Sequence, residues 1–278
     1  MRLLKQLVVV ALIALVGGQA VAAVDWNTPL TLVLGVATAI LSLLAYAWIV
    51  RRTEHRDPVE VARKGALGAL SRGLLLGSGL FAAVIANIWF LGDYRVLGWG
   101  SIAGPVALIG FTAGAAVTEE LLFRGVLFRI IEGRLGTWLS LILTSLLFGL
   151  SHLFNPGATL WSATAVAIEA GGMLAAAYAA TRNLWVPIGL HFGWNFAEGA
   201  IFGTDISGKS APEGVLHSAL SGPTAVSGGA FGPEASVYAL VAGVLVTIAF
   251  MWLARRRGRV MPLRRRATEA ATTATLVA

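Results

Sequence analysis

Apolar segments of about 20 residues, the length that spans a bilayer as one α-helix, recur along the chain and constrain its fold more than any other feature. After a first segment at residues 7–24, they cover residues 29–50, 66–91, 101 to about 134, 138–154, 158–180, 185–202 and 236–254. A mean hydropathy of +0.78 with only 13% charged residues is typical of membrane proteins. The sequence therefore predicts an all-α fold, a polytopic membrane helix bundle of about eight transmembrane helices.

The first segment has two interpretations. Arg2 and Lys5 precede an apolar run that ends in Ala20-Val21-Ala22, which is the pattern of a cleaved signal peptide. The run up to Val24 is also long enough to span a bilayer. Residues 1–24 are therefore a signal-anchor or first transmembrane helix, unless residues 1–22 are removed.

The basic residues are distributed unevenly between the two sides of the predicted bundle. With eight spans that start inside, 19 of the 21 Lys and Arg residues fall in the tails or on the inner side, and only Arg95 and Lys209 fall outside. Cytoplasmic segments carry such an excess of positive charge. Both termini are therefore expected in the cytoplasm, and the net charge of +7 does not indicate a nucleic-acid partner.

Three charges interrupt the fourth apolar segment. Glu119, Glu120 and Arg124 lie among apolar residues, where an unpaired charge costs several kcal/mol and persists only if it is paired, hydrated or used. Glu120 and Arg124 are four residues apart, so they share one helix face and are expected to form an ion pair. Glu119 is the carboxylate left over, which suits a general base.

Other apolar segments also carry polar side chains at helical spacing. Phe148 precedes His152 by four residues, and His191 precedes Asn195 by four. Glu169 and Glu198 lie in the sixth and seventh segments. Each of these alone has a structural explanation as a helix-packing hydrogen bonder. Together with Glu119 they suit attack of water on a carbonyl group, with a carboxylate as base and imidazole and amide groups as oxyanion donors.

A metal site is the alternative chemistry for the same side chains. Glu119, His152 and His191 are the candidate ligands of a divalent metal that would acidify water, with zinc as the first expectation. The chain has no cysteine, which excludes thiolate sites and cysteine nucleophiles. Neither an H-E-x-x-H helix nor a serine nucleophile elbow is present.

Helix lengths make the position of His152 difficult to explain. At 1.5 Å per residue, Glu119 lies about 15 Å from Arg129 and His191 about 14 Å from Arg182, whereas His152 lies about 27 Å from Arg134. A common site therefore requires a turn near residues 133–136 that dips into the membrane, or a strongly tilted fifth helix. The depths of Glu119 and His191 favour a site in the cytoplasmic half.

Three stretches carry a family resemblance. EELLFRGVLFRIIEGRLG at 119–136, SLLFGLSHL at 145–153 and TRNLWVPIGLHFGWNF at 181–196 resemble, in order, the motifs E-E-x-x-x-R, F-x-x-x-H and H-x-x-x-N. These motifs belong to the CAAX-protease and bacteriocin-processing family (CPBP, or Abi) of intramembrane metalloproteases. The resemblance implies an intramembrane endopeptidase that acts on a membrane-associated protein or peptide within the lipid bilayer. It also implies the catalytic set Glu119, Glu120, Arg124, His152, His191 and Asn195.

In that set, Glu119 and His152 resemble the pair that activates water. His191 and Asn195 resemble the pair that stabilises the oxyanion or faces a metal, and Glu120 with Arg124 resembles a supporting ion pair. The expected organisation places helices two and three at 29–100, the catalytic core at 101–203, an extracytoplasmic Gly/Ser-rich loop at 204–235, the last span at 236–254 and a basic cytoplasmic tail at 255–278. The loop is either a disordered connector or a lid.

Two other functions remain open from the sequence. A proton- or ion-coupled transporter would use Glu119, Glu169 and the histidines as a relay, although the paired repeats of such carriers are not visible. A non-catalytic immunity or scaffold protein on the same fold is the other. The expected location is the cell membrane of a bacterium, because Arg is more frequent than Lys and because Ala and Gly are both abundant.

Overall fold

The computed structural model describes residues 1–263, which are mostly helical. The helices are α1 (Arg2–Ala22), α2 (Thr28–Glu54), α3 (Ala66–Phe90), α4 (Ala103–Glu120), α5 (Arg129–Ser151), α6 (Leu160–Val166), α7 (Met173–Thr181), α8 (Trp185–Phe196), α9 (Thr224–Ser227) and α10 (Val237–Arg256). The two strands are β1 (Tyr94–Trp99) and β2 (Leu216–Leu220). Three segments are π-helical. The first joins α4 to α5 (Leu121–Phe128), the second joins α6 to α7 (Ala167–Gly172), and the third extends α8 (Ala197–Ile201). Single 3₁₀ turns lie at Val59–Val61, His152–Phe154, Gly229–Phe231 and Pro233–Ala235.

Six helices of the described chain are long and apolar enough to cross a membrane, and the chain is a multi-pass membrane protein. One of the six is the 52-residue stretch Ala103–Phe154, which Gly136 divides by adopting a φ of 73°. This left-handed conformation suits glycine and breaks the helix where a turn was expected. The total of eight spans and the cytoplasmic position of both termini stay predictions.

Helix α1 packs against the rest of the bundle through a buried polar contact near its start. Gln6 is fully buried, and its amide donates to Thr53 Oγ1 and Glu54 Oε1 at 2.8 Å each. Arg129 donates to the Gln6 carbonyl oxygen at 2.9 Å. A buried side-chain amide whose NH₂ group and carbonyl oxygen are both hydrogen-bonded fixes the position of its helix. This contact supports the interpretation of residues 1–24 as a transmembrane helix.

Helices α3 and α8 approach each other closely through small residues. Gly73 and Gly77 on α3 face Gly189 and Gly193 on α8, each pair being four residues apart. A β-carbon at Gly193 would lie 2.3 Å from the carbonyl oxygen of Leu74, so no side chain fits there. Small residues at this spacing let membrane helices pack backbone to backbone. This contact fixes the position of the part of α8 that carries His191.

The loop at 204–235 is folded, so the disordered connector, one of its two interpretations, does not apply, and a role as a lid stays a prediction. Strand β2 within it pairs antiparallel with β1, from Tyr94 opposite Leu220 to Trp99 opposite Leu216, with an irregularity between Val96 and Gly98. The side chain of Phe231 is 2% exposed and packs with the core around Phe148. Neither β1 nor β2 was predicted, because both strands are short and neither buries an alternating set of apolar side chains.

Candidate active site

Arg124 lies in the interior of the bundle, and its positive charge is compensated on two sides. Its Nη1 donates to Glu120 Oε1 at 2.8 Å, which is the ion pair expected from their spacing. Its Nη2 donates to the carbonyl oxygens of Ala170 and Gly171 at 3.2 and 3.1 Å. The guanidinium carbon also lies 4.6 Å from the centre of the Phe148 ring, close enough for a cation–π contact. Arg124 therefore ties α4 to two other membrane helices.

The π-helical segments lie next to the functional side chains. Glu120 immediately precedes the first segment, Glu169 lies inside the second, and Glu198 lies inside the third. A π-helix loosens the regular backbone ladder and is frequent at functional sites. In the second segment, it turns the carbonyl groups of Ala170 and Gly171 toward Arg124. Sequence periodicity did not reveal these segments, because a π-helix retains an apolar pattern close to that of an α-helix.

His191 is the side chain that contacts both carboxylates of the acidic pair. Its Nδ1 lies 3.0 Å from Glu120 Oε1, and its Nε2 lies 3.9 Å from Glu119 Oε2. Because Glu120 accepts from Nδ1, that nitrogen carries a proton and Nε2 faces Glu119. The Glu120 side chain is fully buried, whereas the Glu119 side chain is 31% exposed. Glu119 is thus the acidic side chain that water and substrate can reach.

His152 is held at the end of α5 by its own helix. Its Nδ1 lies 2.9 Å from the carbonyl oxygen of Phe148 and is assigned as the donor, which leaves Nε2 as a hydrogen-bond acceptor. The rings of Phe148 and His152 have centroids 4.8 Å apart, and those of Phe148 and His191 are 6.1 Å apart. Phe148 therefore packs against both histidines, which explains its place four residues before His152.

The expected difficulty with the depth of His152 came from measuring to the wrong helix end. The helix that carries Glu119 runs past Arg129 to the break at Gly136. Glu119 and His152 lie 17 and 16 residues from that glycine, which corresponds to about 25 Å along each arm. The two side chains are therefore at similar heights, and neither a membrane-dipping turn nor a strong tilt is needed. Both lie farther from the basic end of the bundle than expected.

A small cavity lies among two histidines, the Asn195 amide and two carboxyl side chains. Its lining includes His152, Glu169, His191, Asn195, Ser207 and Glu234. The volume open to the centre of a water molecule is about 10 Å³, close to what one water requires. Glu119 is not part of this lining and instead borders a larger cleft. The structure thus brings His191 to Glu119 and Glu120, and it brings His152 together with His191 and Asn195.

Two side chains of the cavity come from the loop at 204–235 and were missed in the sequence. Ser207 donates a short hydrogen bond to Glu234, and both are buried. Glu169 and Glu198 are also buried, and within residues 1–263 their carboxylate oxygens have no hydrogen-bond partner. A buried carboxyl group without a basic partner is favoured in its protonated form. Glu234 gave no signal in the sequence because it lies in a loop far from the motifs.

The side chains present do not fit a metal centre. Among residues 1–263, no group of three or more His, Cys, Asp or Glu residues is arranged to hold a metal ion. Glu120 Oε1 already accepts from both Arg124 and His191. A zinc site needs at least three protein ligands that are free to coordinate. No catalytic step below is therefore assigned to a metal.

The protein-family comparison covers the part of the chain that carries these side chains. Residues 100–197 match a family model described as type II CAAX prenyl endopeptidase Rce1-like. The expected family resemblance is confirmed. This segment, called the Rce1-like segment below, includes α4 to α8 and contains all three motifs. Ser207 and Glu234 lie outside it. No curated protein and no solved structure matches the chain.

Proposed function

We propose that the protein is an intramembrane endopeptidase that hydrolyses a peptide bond in a membrane-associated protein or peptide. The observation that carries this proposal is the position of His191, which contacts the partly exposed Glu119 and the fully buried Glu120 at once. The same residues lie in the Rce1-like segment, which matches the model of an endopeptidase family.

The proposed reaction begins with a water molecule between Glu119 and the substrate carbonyl group. Glu119 takes a proton from the water, and the water oxygen forms a bond to the carbonyl carbon. Nε2 of His152 accepts a hydrogen bond from the second O–H of the water and so orients it, and this hydrogen stays on the water oxygen. The resulting oxyanion accepts hydrogen bonds from Asn195 and from Nε2 of His191. Glu119 then gives its proton to the amide nitrogen, the C–N bond breaks, and the amine leaves.

Charge balance supports a doubly protonated His191 in this step. Glu119 and Glu120 carry two negative charges, and Arg124 with a cationic His191 carries two positive charges, so the group is neutral before reaction. Nδ1 then donates to Glu120 while Nε2 donates toward Glu119 or the oxyanion. When Glu119 becomes protonated, the negative charge moves to the oxyanion and the total is unchanged. A neutral buried group avoids the cost of an unpaired charge.

The test compares the parent protein with Glu119→Gln and His152→Ala variants. Purified proteins in detergent are incubated with a peptide library, and the products are identified by mass spectrometry. Both variants should lose at least about a hundredfold in rate, because a general base contributes 10²–10⁴-fold. Glu213→Gln serves as control, since that side chain is about half exposed in the outer loop. Cleavage by Glu119→Gln at the parental rate would refute the proposed base.

The proposed location is the cell membrane of a bacterium, with both termini in the cytoplasm. The distribution of basic residues supports this orientation, because 19 of the 21 Lys and Arg fall on one side of the predicted bundle.

A further inference from the structure

A large cleft leads from one end of the bundle to Glu119. It is lined by the outer half of α1, by α2 and α4, and by two loops, and its volume is about 710 Å³. Its mouth is surrounded by Asp25, Trp26, Pro156, Lys209 and Ser210. Its inner end is formed by Thr118 and Glu119. Ligand pockets in proteins have volumes of this size. The cleft is therefore large enough for a stretch of polypeptide.

The mouth of the cleft lies at the end of the bundle opposite to the basic residues. Asp25 and Trp26 follow α1 and precede α2, whereas Arg2 starts α1 and Arg51 lies in the last turn of α2. The same helices therefore carry the mouth at one end and the positive charge at the other. Because an excess of Lys and Arg is typical of the cytoplasmic side, the mouth is predicted to face the extracytoplasmic side. The expectation of a site in the cytoplasmic half is not supported by this geometry.

Helix α1 forms one wall of the cleft and is held in place by a close contact. A β-carbon at Gly17 would lie 2.3 Å from Thr38 Cγ2, so α1 and α2 touch there. The neighbouring Gly18 lines the cleft, and a β-carbon on it would meet no atom within 4 Å. A larger side chain at position 18 would therefore enter the cleft without displacing the backbone.

We infer that this cleft admits extended extracytoplasmic segments of membrane-associated polypeptides to Glu119, and that cytoplasmic tails are not its substrates. The inference rests on the proposed function. Glu119 lies 16 residues below the start of α4, which is about 24 Å. An extended chain advances 3.3–3.6 Å per residue, so about seven residues free of folded structure reach from the mouth to Glu119.

The orientation of the cleft is tested without any substrate. The chain has no cysteine, so single-cysteine variants report one position each. Intact cells that carry Lys209→Cys, Gly18→Cys, Val16→Cys or Lys64→Cys are treated with a membrane-impermeant maleimide. Positions 209 and 18 should react from outside, and position 64 only after permeabilisation. Val16 is 62% exposed and lies outside the cleft lining, so position 16 should not react. Reaction of position 64 but not 209 in intact cells would overturn the inference.

The role of the cleft is tested by closing it. Gly18→Trp fills the cleft, and Val16→Trp is the matched control on the other face of α1. The probes are two pools of single-span reporter proteins with a randomised segment on the extracytoplasmic or the cytoplasmic side. The parent should cut the extracytoplasmic pool. The cleavage rate of this pool should be about tenfold or more lower for Gly18→Trp, and it should stay within about twofold of the parental rate for Val16→Trp.

The outcomes separate this inference from the proposed function. If the parent cuts only the cytoplasmic pool, the endopeptidase stands and the inference is wrong. Equal cleavage of the extracytoplasmic pool by Gly18→Trp and parent also refutes it. If the parent cuts neither pool, the endopeptidase proposal fails, while the labelling experiment still decides which side the cleft faces. The intact mass of the purified protein must include α1, since a protein cleaved after residue 22 would lack this wall.

Discussion

Oε1 of Glu120 lies 3.0 Å from Nδ1 of His191 and 2.8 Å from Nη1 of Arg124. One buried oxygen thus accepts from two cationic or potentially cationic groups on different parts of the fold. This contact fixes which nitrogen of His191 donates to Glu120 and which one faces Glu119. Glu120 is therefore a positioning residue, whereas Glu119 is the group proposed to touch water and substrate.

The first prediction is that Glu120→Gln destabilises the protein and Glu119→Gln does not. Removing the Glu120 charge leaves Arg124 buried without its anionic partner, and breaking a buried ion pair costs about 3–5 kcal/mol. Glu119 is partly exposed, so its isosteric amide should fold normally. Unfolding of both variants in detergent, followed by circular dichroism against temperature or denaturant, measures the difference. Equal stability of the two variants would show that Arg124 does not depend on Glu120.

The second prediction concerns Phe148, whose ring contacts both Arg124 and His152. Phe148→Leu keeps most of the apolar volume but removes the aromatic face. A desolvated cation–π contact is worth about 2 kcal/mol, and the loss should also let His152 turn away from the cavity. We expect kcat to fall about tenfold with little change in KM. Phe154→Leu is the control, because Phe154 is 92% exposed. A change in KM alone would mean that Phe148 contacts substrate instead of positioning His152.

Local spacing predicted the parts of this molecule that depend on one helix. The pairing of Glu120 with Arg124 and the contact of Phe148 with His152 follow from residues four apart. Some helix ends could also be predicted from the sequence, because the length of the apolar run and the arginines beside it indicate where the helix ends. For example, the second span was expected at 29–50 and the helix covers Thr28–Glu54.

Contacts between distant segments could not be read from the sequence in the same way. The approach of His191 to Glu120 joins positions 71 residues apart, and nothing in their spacing indicates which histidine lies nearest the acidic pair. The contribution of Ser207 and Glu234 depends on how a long loop folds over the cavity. The relative height of His152 was misjudged because Glu119 was measured to Arg129, although its helix continues to the break at Gly136.

The third prediction concerns metal content. Because Glu120 is occupied by Arg124 and His191, and because residues 1–263 offer no three-residue ligand group, we expect chelators to leave peptidase activity unchanged. Elemental analysis of the parent beside a Glu119→Gln, His152→Ala double variant measures bound metal directly. Stoichiometric zinc in the parent that disappears in the double variant, together with inhibition by chelator, would contradict this prediction and assign these side chains to a metal.

The last prediction is that acid weakens a polar cluster that joins α2 to the turn at Val59–Val61. Glu60 is 3% exposed and accepts from Arg56 at 2.8 and 2.9 Å and from Tyr46 at 2.5 Å. Burial alone would raise the pKa of Glu60, but the hydrogen bonds from Arg56 and Tyr46 lower it below the ordinary value. The unfolded chain then binds a proton at a higher pH than the folded protein. The stability that Glu60 contributes is therefore complete above its unfolded pKa of about 4.3 and is lost as pH falls through the folded value.

The measurement compares unfolding of the parent, Glu60→Gln and Asp57→Asn between neutral pH and about pH 3, the range in which glutamates titrate. The parent should exceed Glu60→Gln in stability at neutral pH, and the difference should narrow toward acid because both side chains are then uncharged. Asp57→Asn is the control, since its partner Arg51 and Asp57 itself are 57% and 84% exposed and such pairs contribute little. A difference between parent and Glu60→Gln that stays constant across this pH range would show that the charge of Glu60 does not stabilise the fold.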